Sequence, residues 1–94
     1  MTRITIREDG DVHSIEATGH ATGSTDVCAA ISALIESLAI YAEKFAEKMI
    51  TEVIEDGNVR LAFKGARAGF VFTTMGLEAI AESYPDYLVV LINK

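Results

Sequence analysis

The chain has 94 residues, half of them apolar, with a formal net charge of −6 and a single cysteine. That length supports one domain, residues 1–94, with its own core, and one cysteine closes no internal disulfide. The eight Lys and Arg residues are scattered from Arg3 to Lys94 and make no basic stripe, which argues against direct nucleic-acid binding.

The polar start MTRITIRE does not read as a signal peptide, and no apolar run approaches the ~20 residues that a membrane helix needs. The expectation is a soluble, cytoplasmic protein of a reducing compartment, with no membrane partner. The acidic balance suits a basic peptide or protein partner.

Residues 2–8 alternate, with Ile4 and Ile6 on one face and Arg3, Thr5 and Arg7 on the other, which predicts a first strand. Asp9-Gly10 signals a tight hairpin, and residues 12–19 return as strand two. Residues 26–48 carry Val27, Ile31, Leu34, Leu38, Tyr41 and Phe45 at three- and four-residue spacing, the mark of an amphipathic helix. Ser24, Thr25 or Asp26 can cap its start, and Lys44 and Lys48 suit the negative end of its dipole.

A second hairpin follows, with Asp56-Gly57 at the turn between residues 49–55 and 59–64, and Val59, Leu61 and Phe63 sharing a face. Residues 66–83 predict a second helix through Phe70, Thr74, Leu77, Ile80, Ala81 and Tyr84; Gly69 and Gly76 weaken it, and Pro85 ends it. Residues 87–92, YLVVLI, are a continuous apolar run, as in a strand buried on both faces or packed at an interface. The order β-β-α-β-β-α-β predicts an α+β domain with a mainly antiparallel sheet and two helices packed on it.

The chemistry concentrates in residues 19–28, GHATGSTDVC. A lone cysteine is ordinarily a small packed apolar residue, and a lone histidine is ordinarily a loop or core residue. Three features favour function here. Cys28 falls in the first turn of the predicted helix, where the dipole and backbone N–H groups favour a thiolate and would also hold an oxyanion. His20 ends strand two, and the seven residues Ala21 to Val27 that separate it from Cys28 are an ordinary loop length, able to bring imidazole and sulfur together. The loop is built of small residues that leave room for a substrate backbone.

Asp26 acts in two directions: as a cap it fixes the helix start, and as a carboxylate near Cys28 it opposes ionisation of the thiol. Ser32 lies one turn after Cys28 on the same face, placed to orient a substrate or simply tolerated in the helix. His13 sits seven positions before His20 and finds no third group for a metal site with Cys28. No metal and no cofactor is expected, since phosphate-loop and dinucleotide fingerprints are absent from the sequence. Glu36, Glu43 and Glu47 read as a solvated helix face.

Gly19-His20-Ala21 and Val27-Cys28-Ala29-Ala30-Ile31-Ser32-Ala33-Leu34 resemble the ribosomal-processing cysteine protease family Prp. That family has Gly-His-Ala at the end of its second strand and Val-Cys-Ala-Ala-x-Ser-Ala-Leu at a helix start. GLEAIAESYPDYLVVL, residues 76–91, resembles its C-terminal pattern. The resemblance implies a cysteine endopeptidase using a Cys28–His20 pair; Gly19, Asp26 and Ser32 stand beside that pair as candidate substrate-binding or orienting residues. It also implies a homodimer, with a bacterial large-subunit ribosomal protein precursor bearing a short N-terminal extension as substrate. Two features depart from the family pattern: the loop from His20 to Cys28 is a few residues shorter, and Thr25 stands where the family often has an acid three positions before the cysteine. Two rival readings are a non-catalytic dimeric peptide-binding paralogue and a thiol redox sensor acting through Cys28.

Overall fold

The computed structural model describes residues 1–19 and 25–93. Along the chain run β1 (Thr2–Asp9), β2 (Val12–Thr18), α1 (Thr25–Phe45), β3 (Ala46–Glu55), β4 (Asn58–Gly65), α2 (Arg67–Ser83) and β5 (Leu88–Asn93). The strands form one five-stranded sheet in the order β3-β4-β2-β1-β5. All neighbours are antiparallel except β1 and β5. Both predicted hairpins close with two-residue turns, Asp9 pairing Val12 and Glu55 pairing Asn58. Gly10 and Gly57 supply the positive φ that such tight turns require.

The two-residue period buries one face of the sheet. Ile4 and Ile6 of β1, His13, Ile15 and Ala17 of β2, and Leu61 and Phe63 of β4 are all buried. Arg3, Arg7, Glu16, Arg60 and Lys64 occupy the other face, exposed. Both helices cover the buried face, and their Val27, Ile31, Ile35, Leu38, Phe70 and Leu77 complete a single core cluster.

Topology explains why the helices share a face. β2 runs parallel to β3, and β4 runs parallel to β5, so α1 and α2 are each a crossover between parallel strands. The two crossovers travel in opposite directions across the sheet from strands of opposite direction. Two right-handed crossovers arranged in that way place their helices on the same side.

Four expectations change. The first helix stops at Phe45, three residues earlier than predicted, and β3 begins at Ala46 with no loop. Ala46 pairs with Gly65 and Lys48 with Lys64, so sheet hydrogen bonds take residues that prefer a helix, at the cost of two register irregularities. Lys48 is therefore a strand residue, and only Lys44 lies in the last helical turn.

The buried stripe of α1 is also rotated. Ile35, Ala39 and Ala42 are buried, while Phe45 is exposed. β5 is not buried on both faces: it is an edge strand paired only with β1, with Leu88 buried and Leu91 and Ile92 exposed. Finally, α1 is long and apolar enough, by length and composition, to cross a membrane. Its alanines and sparse charges produce that property, while its most apolar stripe packs on the sheet.

Candidate active site

Cys28 is the fourth residue of α1 and is half-buried. Its side chain opens on a cleft of about 310 Å³ between the N-terminal half of α1 and the β3–β4 hairpin. Cys28, Ser32 and Glu36 follow one another at four-residue spacing along the helix wall. The hairpin wall is residues 54–59, Ile54 through Val59, and Ala17, Gly19, Ile31 and Ile35 also line the cleft. Ala17, Ile31 and Ile35 of that lining belong to the core and Cys28 and Val59 pack against it, so most of the cleft is built on the rigid part of the fold, while Ile54 is exposed.

Gly19 fixes how β2 meets this site. Its φ is 84°, and a Cβ there would run into the main-chain carbonyl oxygen of Met1. Its N–H donates to the Gly57 carbonyl at 3.1 Å, tying the end of β2 to the hairpin turn. Gly19 thus takes a left-handed conformation at the end of β2 and ties the strand to the opposite wall.

The sequence-predicted residues divide as follows. Cys28, Ser32 and Gly19 line one cleft. Asp26 is in the first turn of α1, exposed and outside the cleft lining. It stands at the positive end of the helix dipole, where a carboxylate is favoured. His20 lies outside the described residues, as do Ala21 to Ser24 with the candidate cap Ser24.

The other histidine is elsewhere. His13 is fully buried between Phe63 and Phe70, with ring centroids 6.0 and 4.8 Å away. Glu8 and Asp11 carboxylate oxygens stand 3.8 Å from its two ring nitrogens, neither of which has a hydrogen-bond partner. It belongs to the end of β2 nearest the first hairpin, away from Cys28. Among the described residues no group of three His, Cys, Asp or Glu side chains is arranged to hold a metal ion.

The second wall escaped sequence reasoning. Glu55, Asp56, Gly57 and Asn58 form a turn nearly thirty positions beyond Cys28 in the chain. Asp56-Gly57 announces a turn, but only the β2–β4 pairing, Thr18 opposite Asn58, carries that turn to the mouth of the site.

The cleft can hold an extended chain against a thiol, with apolar contacts beneath and polar groups at the rim. Three solved structures share the fold. S. aureus Prp, an essential ribosomal processing protease, in complex with a covalently linked product peptide, superposes with a TM-score of 0.84 at 17% identity, covering 99% of this chain and 100% of that one. The same S. aureus protease with a substrate peptide gives a TM-score of 0.77 at 16% identity, covering 99% and 100%. SMU.848 from Streptococcus mutans gives 0.70 at 23% identity, covering 98% and 93%. A search of curated proteins finds no match. The family model described as "Cysteine protease Prp" matches residues 1–89. With nearly the whole length matched, the chain belongs to the Prp cysteine protease family.

Proposed function

We propose that this chain is a cysteine endopeptidase that removes a short N-terminal extension from a large-subunit ribosomal protein in the bacterial cytoplasm. The observation that carries the reading is the placement of Cys28, a half-buried thiol in the first turn of α1 and on the wall of a cleft able to take a peptide. Family membership supports the reaction class. The S. aureus relative, with a substrate peptide in one structure and a covalently linked product peptide in another, supports the substrate class.

In this mechanism His20 takes the proton of the Cys28 thiol, and the sulfur attacks the scissile carbonyl carbon. The positive end of the α1 dipole favours first the thiolate and then the oxyanion of the tetrahedral intermediate. Collapse breaks the C–N bond as His20 protonates the leaving amine, giving a thioester on Cys28. Water, deprotonated by His20, then hydrolyses the thioester and regenerates the thiol. Ser32 and Gly19 line the path of the peptide, and no cofactor or metal takes part.

A second copy of the chain is the other partner we propose. An apolar cavity of about 390 Å³ between α1 and α2, lined by Leu34, Ser37, Tyr41, Ala68, Gly69 and Phe72, has no charged side chain among its described lining residues. Phe72 beside it is 74% exposed, a large apolar side chain of the kind that protein interfaces cover.

The test is incubation of purified protein with the extended ribosomal protein, with the product read by mass spectrometry. A single shorter ribosomal protein supports the reading. Binding without cleavage would establish the peptide-binding alternative, and reversible oxidation of Cys28 without cleavage would establish the redox alternative.

A further inference from the structure

We infer that the cleft selects peptides carrying a Lys or Arg three or four residues from the bond next to Cys28. This rests on the reading of that cleft as the peptide site. The charge of its lining points to it. The two walls contribute the exposed carboxylates of Glu36 from α1 and Glu55 from the hairpin, and the described lining contains no Lys, Arg or His. The lining between these carboxylates includes the buried Ile31 and Ile35, the partly buried Val59 and the exposed Ile54. A long aliphatic stem with a terminal cation matches such a profile, its methylenes on the isoleucines and its charge at the carboxylates. An acidic residue at the same place would meet like charge on both walls.

Helix geometry sets the register. Glu36 is eight residues beyond Cys28 on the same wall, about 12 Å along the axis at the α-helical rise. An extended peptide advances about 3.3 Å per residue, so about 12 Å is between three and four residues. The formal charge of −6 adds a long-range field of the same sign. The stems of Glu36 and Glu55 are exposed at the rim, so the selection depends on ionic strength.

The experiment separates this inference from catalysis by using binding. Fluorescein-labelled peptides with a constant apolar sequence carry one Lys, Gln or Glu, walked through each position on both sides of the scissile bond. Their affinity for the Cys28→Ala protein is read by anisotropy, with circular dichroism establishing that the variant is folded. The Lys peptide is expected to bind roughly three- to tenfold tighter than the Gln peptide at one position, three or four residues from the bond, and the Glu peptide more weakly than either. Glu36→Gln and Glu55→Gln, placed singly in the Cys28→Ala protein, should each lower the Lys-to-Gln ratio by about two- to fivefold. Raising the salt should do the same.

Equal binding of Lys, Gln and Glu peptides at every position, a ratio unchanged in both variants, or no binding at all overturns the inference. If wild-type protein still cleaves the ribosomal precursor, that failure leaves the proteolytic reading standing. A charge preference in binding without cleavage by wild-type protein supports the inference and refutes the protease.

Discussion

Gly19 shows how one residue couples fold to site. At φ 84°, with the Met1 carbonyl where a side chain would begin, it admits no Cβ without movement of the β1 entry or the hairpin turn. Gly19→Ala should destabilise the protein by about 1–2 kcal/mol, the cost of a left-handed conformation for an ordinary residue, and the clash adds to that. Denaturant midpoints measure the effect, and an unchanged midpoint would show that the turn relaxes freely. Because the Gly19 N–H donates to Gly57 on the opposite wall, peptide cleavage should fall as well.

Single residues also mark the limit of what the sequence made legible. Cys28 and Ser32 announce themselves by helical spacing and by the run of small residues before them, and both line the cleft. Glu36 reads from sequence as part of a solvated helix face. Its place on the cleft wall depends on the hairpin opposite, and no local pattern encodes which turn will stand there. His13 and His20 look equivalent as letters; the alternation of β2 buries His13 against Phe63 and Phe70, at the end of the strand nearest the first hairpin.

At the scale of elements, α2 contains a tension that only packing resolves. Gly69 and Gly76 weaken a helix by up to about 1 kcal/mol each relative to alanine. In the structure a Cβ at Gly69 would strike the Tyr41 ring, and one at Gly76 would press on Leu34 at 3.0 Å. These glycines let α1 and α2 approach closely, and the propensity they sacrifice is offset by that contact. Gly69→Ala should therefore destabilise the fold despite its better propensity, because overpacking costs about 1–3 kcal/mol against a gain of at most about 1 kcal/mol. A raised melting temperature would mean that Tyr41 swings clear.

The α1–β3 junction was hidden for a related reason. The sequence from Ala46 to Lys48 favours a helix, and the distant pairing of Ala46 with Gly65 decides otherwise. The junction brings Glu52 of β3 beside Glu43 of α1. A hydrogen bond shared with Glu43, then desolvation, then the charge of Glu43 all raise the Glu52 carboxyl above its ordinary value of 4.5. A carboxyl whose folded value is raised stabilises in its protonated form. Its contribution is complete below the unfolded value and is lost as pH rises through the folded one. Stability should thus decline across the mildly acidic range above 4.5 by an increment absent from Glu52→Gln, which keeps a donor for Glu43 and does not titrate. Denaturation curves of the two proteins against pH would run parallel if this account is wrong.

For the whole molecule, the element order and the mainly antiparallel sheet follow from period and turn chemistry. The edge position of β5 does not. The apolar run of residues 87–92 reads either as a strand buried on both faces or as one packed at an interface, and only the crossover through α2 sends it to the margin beside β1. In the dimer that we propose, the apolar cavity between the helices takes the second copy. Phe72→Glu is expected to leave a monomer in sedimentation experiments at concentrations where the wild type is a dimer. A wild type that sediments only as monomer would remove the dimer.

The account as a whole depends on the Cys28 sulfur being the atom that attacks the peptide bond. The most direct measurement is the rate of cleavage of the extended ribosomal protein by wild-type protein and by folded Cys28→Ala. We expect the variant to lose activity by about four orders of magnitude or more, the order of loss that removal of a catalytic nucleophile brings. Cleavage at the same bond by Cys28→Ala, at a rate near that of the wild type, would contradict it.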